Sequence, residues 1–582
     1  MHAQRSLLLW ICMILLAGCT TLAQNRTDYS AVKLDPAEQT NEMLLQHCSP
    51  GKKGVFSGRE LKNSIEDYET HLIGFVEYSD QGWEYASGAQ RRNLRQRLNA
   101  DLADPRYARS VFINIVFVHG WHHNAEDGDC NVNEFRAMVR QVSRDLADAV
   151  KGAGLDLHFR VNGIYVGWRG EALRVPLLRQ TSLITRRNSA EHIAKGSVRE
   201  LFADLRAIEF AEPVRVRTIV VGHSFGALIA FHSLSPLLIN DLALQRQRAV
   251  TKAGASGCGA VPNAPKPWPD FTVLINPAFE ASRFEALHNA AQAKPECPHP
   301  VQRPNLVVVT ADNDVATGKI FPLFRSVASI FEKYDASSNE AHDNERQANL
   351  HAIGFVDRYK THRLALERND GGVCVRQYRD PAGKARDQDR PVWVVGATPD
   401  IVFGHDGFLY PDAARGRFDP YLLHWLLNVY LDAVTRGTSF HKLYEQYRKD
   451  RCIRKDPENE VIQRALRTQQ RGRGGGRRLP FRGDVPPPAK PRDRPAGRPR
   501  IEGRPDRGAR PASCRGRRGR TGCAARRAGA SGASRAGAAH PAAAPVGAQC
   551  GRPGRAAARP GPYRAERDRP GAGRGVAFPR DA

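Results

Sequence analysis

The chain has 582 residues and a formal charge of +26 at pH 7. Most of that charge is local: Arg471 to Ala582 holds 28 Lys and Arg against 7 Asp and Glu, which leaves +5 for everything before it. The length exceeds what one core requires, but composition argues against several folded domains, and the overall charge gives no ground for reading the whole protein as nucleic-acid binding.

The N-terminus reads as a targeting segment. Arg5 supplies a positive start, and Leu7 to Leu16 form an apolar run too short to span a bilayer as a mature helix. Leu16-Ala17-Gly18-Cys19 follows and resembles the lipobox of bacterial lipoproteins. That resemblance implies a signal peptide over residues 1–18, lipidation of Cys19 and anchoring in a membrane by several acyl chains. Thr20, where an Asp would imply retention, implies the outer membrane facing the periplasm. Residues 19–70 are expected to be a tether and entry segment. Eleven cysteines are present, six of them in the body, where an exported chain can form disulfides. There is no Cys-x-x-Cys, so a zinc ribbon or a thioredoxin-like site has no support.

Elements then follow in chain order. Leu72 to Tyr78 reads as a first strand and Arg91 to Asp101 as a polar helix. Val111 to Val118 is β-branched and nearly continuous, as in a parallel strand covered on both faces. Glu134 to Ala149 has helical spacing, Gly163 to Trp168 is a short strand, and Val214 to Val221 is another buried strand. Phe271–Ile275, Leu306–Thr310 and Val392–Val395 complete the strands, and Leu422 to Val434 is an apolar helix. Alternating strands and helices predict an α/β fold with a mostly parallel, doubly wound sheet in one domain over 71–455. Gly254 to Asp270 is expected to be a surface loop. Residues 320–390 separate two strands by more than a crossover needs, and form either a cap over the site or a peripheral addition. From 456 on, the chain becomes an Arg/Gly/Pro/Ala-rich tail, with no leucine after Leu479. Such a segment cannot bury enough apolar surface to offset its ordering entropy and is expected to be disordered. These are residues of GC-rich codons, so a frameshift product is the preferred origin. A polyanion-binding tail is the alternative.

The most informative segment is Gly222-His223-Ser224-Phe225-Gly226, set between a buried strand and a helix that begins Ala227-Leu-Ile-Ala. Strand, G-x-S-x-G, helix is the nucleophile elbow of α/β-hydrolases. A serine hydroxyl is a weak nucleophile, and the sharp turn lifts Ser224 toward a base. Gly222 and Gly226 leave room where strand and helix meet. In this fold the acid and the histidine follow the serine in chain order. Asp312 and Asp314 both lie beyond the strand Leu306–Thr310, and the spacing favours Asp314. His405, between Gly404 and Asp406-Gly407 after the last strand, is the expected base. His351 and His362 are competitors, and His424 is expected to face the core. Oxyanion donors are expected from the N–H groups of Phe225 and Trp121, the latter following Val118-His119-Gly120. His119, His122 and His123 invite a metal reading. However, neighbouring histidines on a strand-exit loop cannot all face one ion, so no metal is expected and they are assigned to orienting that loop.

Val116 to Ala125, with its His-Gly-Trp-His-His-Asn-Ala, together with Gly222-His-Ser-Phe-Gly226, resembles bacterial exported α/β-hydrolases of esterase/lipase type over residues 70–440. The resemblance implies serine ester hydrolysis without a cofactor, on an ester or acyl-lipid substrate, but no particular acyl group. Asp314 and His405 lie 91 residues apart, further than is usual there. A non-catalytic scaffold of the same fold, serving as an envelope binding protein, is the alternative. No nucleic-acid partner is expected, and the oligomeric state is left open.

Overall fold

In the computed structural model the described residues are 24–35, 41–46, 60–170, 183–253, 267–292, 304–369, 372–378, 391–410, 420–435 and 441–453. The expected signal peptide, Cys19, the Gly254 to Asp270 loop as far as residue 266, and the basic tail fall outside them. The strands are β1 (Asp28–Lys33), β2 (Asn63–Asp67), β3 (His71–Tyr78), β4 (Ser110–Val118), β5 (His158–Trp168), β6 (Val216–His223), β7 (Phe271–Ile275), β8 (Leu306–Ala311), β9 (His362–Asn369), β10 (Gly372–Tyr378) and β11 (Val392–Ala397). The helices are α1 (Asn41–Gln46), α2 (Ala89–Ala103), α3 (Cys130–Ala153), α4 (Leu183–Lys195), α5 (Val198–Ala211), α6 (Phe225–Ala253), α7 (Glu285–Gln292), α8 (Phe321–Ala328), α9 (Asn339–Leu350), α10 (Tyr421–Thr435) and α11 (His441–Ile453).

All strands join one sheet in the order β1-β2-β3-β5-β4-β6-β7-β8-β11-β9-β10. Among the described strands, only β2–β3 and β9–β10 pair antiparallel. Strand side chains alternate between two cores, as the two-residue period of a strand requires. Val116, Ile164, Val220, Leu274 and Val308 pack on one face with Leu94, Ile193, Leu205 and Leu228. Ile115, Tyr165, Val221, Val273 and Val309 pack on the other with Phe135, Val142, Leu422 and Leu443. Burial on both faces explains why these strands read as continuous apolar runs. The Phe225–Leu244 stretch of α6 is long and apolar enough to cross a membrane. Here it is a core helix: Ala227, Leu228, Ile229 and Leu234 are fully buried against the sheet.

The connection after β4 runs back to β5, whereas the connection after β6 runs forward to β7. Adjacent strands whose connections leave in opposite directions open a crevice at their carboxyl ends, and ligands of open α/β sheets bind there. That crevice lies between Val118 and His223.

One feature differs from the sequence reading. The sheet begins before Leu72, because β1 and β2, inside the segment read as tether and entry, are part of it. Their anchor is polar: Arg26 is wholly buried, its Nη1 3.0 Å from Glu66, and its backbone N–H donates to Glu77 at 2.8 Å. For residues 320–390 the sequence left a cap or a peripheral addition open, and their described strands lie at the sheet edge. β9 runs parallel beside β11 and β10 closes the edge, so these strands widen the sheet. The helical part packs beside the β7 exit, where the Ala281 N–H donates to the His351 carbonyl at 2.9 Å.

Candidate active site

Ser224 follows β6 directly and has φ +55°, the left-handed region that a non-glycine residue occupies only under constraint. The constraint is visible. The Ser224 N–H donates to the Ile275 carbonyl at 3.0 Å, and its own carbonyl accepts from Ala278 at 3.2 Å and from Ala227 at 3.1 Å. A Cβ at Gly226 would sit 2.0 Å from the Val118 carbonyl oxygen, and one at Gly222 would sit 2.7 Å from the Ala227 Cα. Both obstacles are backbone and cannot swing aside. Gly226→Ala is therefore expected to cost more than about 3 kcal/mol, the upper end for overpacking, as read by urea denaturation.

Two later loops meet the elbow. His405 Nε2 lies 2.8 Å from Ser224 Oγ, and His405 Nδ1 lies 2.9 Å from Asp314 Oδ2. Asp314 is buried at the β8 exit, where its carboxylate also accepts from the Ala316 N–H at 2.8 Å, the Thr317 N–H at 3.2 Å and the Thr317 hydroxyl. Burial pushes its carboxyl up, but the His405 hydrogen bond and charge together with Thr317 hold it below the ordinary value. For His405, burial pushes the imidazole down, yet the bond and charge of Asp314, and then Asp406, bring it above its ordinary value. Asp312 points elsewhere and pairs with Arg363 at 2.8 Å. His351, just past the end of α9, bonds back to the Gln347 carbonyl, and His362 is buried with its ring on Trp393. His424 is half-buried on α10, 3.4 Å from Asp145.

The His405 loop is held from three sides. Asn276, buried at the end of β7 with φ +44°, donates its amide to the Gly404 and His405 carbonyls at 3.0 and 2.7 Å. Its Oδ1 accepts the Ala311 N–H at 2.9 Å, which ties the loop to β8. The Gly404 N–H donates to Asn313 Oδ1 at 2.9 Å, and His223 Nε2 donates to the His405 carbonyl at 2.8 Å. Burial, then the His405 charge, push His223 down to about 3, so it stays neutral at physiological pH. The sequence reading missed Asn276 and Asn313. Asn276 did carry a signal, being an Asn at a strand exit, the residue type that tolerates positive φ.

The loop after β4 packs on the elbow from the other side. A Cβ on Gly120 would lie 2.9 Å from the Ser224 Cβ. His119 is fully buried, and its Nε2 accepts the Trp168 N–H at 3.0 Å, so its Nδ1 carries the proton and donates to the Gly120 carbonyl at 2.9 Å. Burial pushes this imidazole down to about 4, which keeps that tautomer neutral. A trans peptide points its N–H away from its C=O, so fixing the Gly120 carbonyl also fixes the direction of the Trp121 N–H. Phe225 opens α6, where the first N–H groups have no intrahelical acceptor. His122 has φ +75° and donates its N–H to the Gly170 carbonyl at 3.3 Å. His123 pairs with Asp129 at 3.0 Å, and although burial opposes its charge, that carboxylate brings it up to about 9.

Among the described residues, the group best placed to share a metal ion is His223, His405 and Asp406. Both ring nitrogens of His405 are already engaged with Ser224 and Asp314. An ion there would dismantle that chain, so these residues fit a hydrogen-bonded relay better than a metal site.

Sheet order, elbow and loop placement together define an α/β-hydrolase fold. No protein-family model and no curated protein matches the chain. Two solved structures of phospholipase PlaB from Legionella pneumophila are similar to it. The one in complex with thio-NAD has 14% identity and a TM-score of 0.24 over 62% of this chain and 64% of that one. The other has 13% identity and a TM-score of 0.24 over 62% of this chain and 65% of that one. The chain thus spans less than two thirds of the length of those structures.

Proposed function

We propose that the protein is a serine hydrolase that cleaves carboxylic esters through an acyl-enzyme on Ser224. The observation that carries this reading is the unbroken Ser224–His405–Asp314 chain, at 2.8 and 2.9 Å, in the crevice where the sheet topology reverses. His405 Nε2 takes the Ser224 proton as Oγ attacks the ester carbonyl. Asp314 holds the Nδ1–H tautomer and stabilises the imidazolium that forms. The N–H groups of Trp121 and Phe225 receive the oxyanion, the first aimed by His119. The tetrahedral intermediate collapses, His405 protonates the leaving alkoxide, and water activated by the same imidazole releases the acid. Acyl transfer of this kind needs no cofactor. Lipidation at Cys19 would keep the enzyme at a membrane in the cell envelope, which makes acyl lipids the favoured esters.

Asn276 acts in this scheme by positioning His405. Asn276→Ala is expected to lower kcat by ~10²-fold, with KM for a small ester nearly unchanged, because a shift of about 1 Å in a catalytic group costs that much. Steady-state kinetics on p-nitrophenyl esters check it. The same assay across acyl lengths tests the function itself: turnover that disappears in Ser224→Ala supports it, and a folded wild type inert on every ester opposes it.

A further inference from the structure

Among the described residues, one surface next to the site gathers most of the exposed large hydrophobic side chains. Starting one residue after Asp314, Val315, Ile320, Leu323, Val327, Ile330 and Phe331 are all more than half exposed, Phe331 at 96%. Ile320, Leu323 and Val327 follow helical spacing along one side of α8, and Ile330 and Phe331 lie in the turn that follows it. The opposite row, Phe321, Arg325 and Ser329, is buried. Arg325 fastens it, with Nη1 3.2 Å from Glu280 and Nη2 2.9 Å from Asn349 Oδ1. The stripe is therefore held rigidly outward. Clustered exposed apolar side chains, unlike singly scattered ones, mark contact surfaces. Lys319 and Lys333 flank it and are exposed, while Glu332 between Phe331 and Lys333 is paired with Arg325 at 3.2 Å. Phe403, two residues before His405, is 47% exposed on the loop that carries the base.

We infer that this stripe seats the protein on an anionic lipid surface, with the site mouth facing the lipid. An apolar helix face bordered by lysines is the pattern of interfacial helices: the apolar side chains enter the acyl boundary and the ammonium groups meet headgroup phosphates. The stripe is continuous in sequence with the turn that holds Asp314. Seating it therefore brings Ser224 toward esters lying in the same surface. This orientation rests on the hydrolase reading, whereas the contact with lipid does not.

The test places a reporter on the face itself. F331W in the full chain is mixed with phosphatidylcholine–phosphatidylglycerol vesicles carrying brominated acyl chains, and its emission is compared with wild type. F210W is the control: Phe210 is 86% exposed at the end of α5, beside the opposite ends of the strands. The expected result is a blue shift and about twofold or greater quenching for F331W alone. In K319E/K333E the quenching of F331W should weaken on these vesicles. Equal quenching at both positions, or none at position 331 whether or not the chain is bound through its anchor, overturns the proposal. So does F331W emission that responds to protein concentration and not to lipid, which marks a second copy as the occupant. Because the readout needs no turnover, an inactive protein that docks removes only the hydrolase reading. An active protein with no lipid contact at position 331 removes only this one.

Discussion

Asp314→Asn is expected to lower kcat by about 10³–10⁴-fold while leaving the fold intact. The change is isosteric, and the amide can still accept from Ala316 and Thr317, so the β8 exit turn keeps its shape. It removes the charge that faces His405 Nδ1 at 2.9 Å. An amide that donates to Nδ1 would place the ring proton on Nε2, the atom that takes the Ser224 proton in the proposed mechanism. The pH profile should move as well. The base acts when neutral, so kcat/KM of wild type should rise with pH through an inflection above ~6.5, the ordinary imidazole value that Asp314 and Asp406 raise. In Asp314→Asn burial and the His123 charge are opposed by Asp406 alone, and the inflection should fall. A loss below tenfold with an unmoved inflection would show that Asp314 does not act on His405.

Arg136→Met is expected to destabilise the protein by about 3–5 kcal/mol, measured by urea denaturation at neutral pH. Arg136 is buried on α3. Its Nε and Nη2 clasp Glu66 at 2.9 and 2.5 Å, Nη2 reaches Asp127 at 2.6 Å, and Nη1 donates to Asn133 at 2.8 Å. Glu66 is wholly buried as well, with Arg26 at 3.0 Å. Burial pushes the Glu66 carboxyl up, yet the two guanidiniums hold it down to about 2. A carboxylate depressed in this way contributes stability above its unfolded value of about 4.3, and that contribution is lost as pH falls through about 2. Removing Arg136 leaves buried negative charge with one guanidinium instead of two. The double variant Glu66→Leu/Arg136→Met removes both members and should recover part of the loss. Equal destabilisation in the single and double variants would mean that packing, and not charge, is what Arg136 supplies.

The central sheet was legible because it is buried twice over. β4, β6, β7, β8 and β11 are short β-branched runs with no polar face, so composition alone marks them. β1 and β2 were not legible: β1 reads Asp-Tyr-Ser-Ala-Val-Lys and lies at the sheet edge with most side chains in solvent. What holds its entry is a buried ionic cluster of Arg26, Glu66, Arg136 and Asp127, whose members lie up to about a hundred residues apart and form no local pattern. The candidate site divides in the same way. Ser224, Asp314 and His405, which the structure brings within hydrogen-bond distance of one another, could be picked out because each follows a recognisable strand and the fold sets their order. Asn276 and Asn313 act through side-chain bonds to a loop some ninety or more residues away, which spacing cannot reveal. His119 was given an orienting part, but its direction depends on the Trp168 N–H that selects its tautomer.

The central claim is that Ser224 is an activated nucleophile. The direct measurement is covalent labelling of the full chain with a fluorophosphonate, read by intact mass and by peptide mapping. One adduct per chain is expected, on Ser224, abolished in Ser224→Ala and strongly slowed in Asp314→Asn. A folded wild type that takes no label, or a Ser224→Ala protein that labels as fast as wild type, would contradict it.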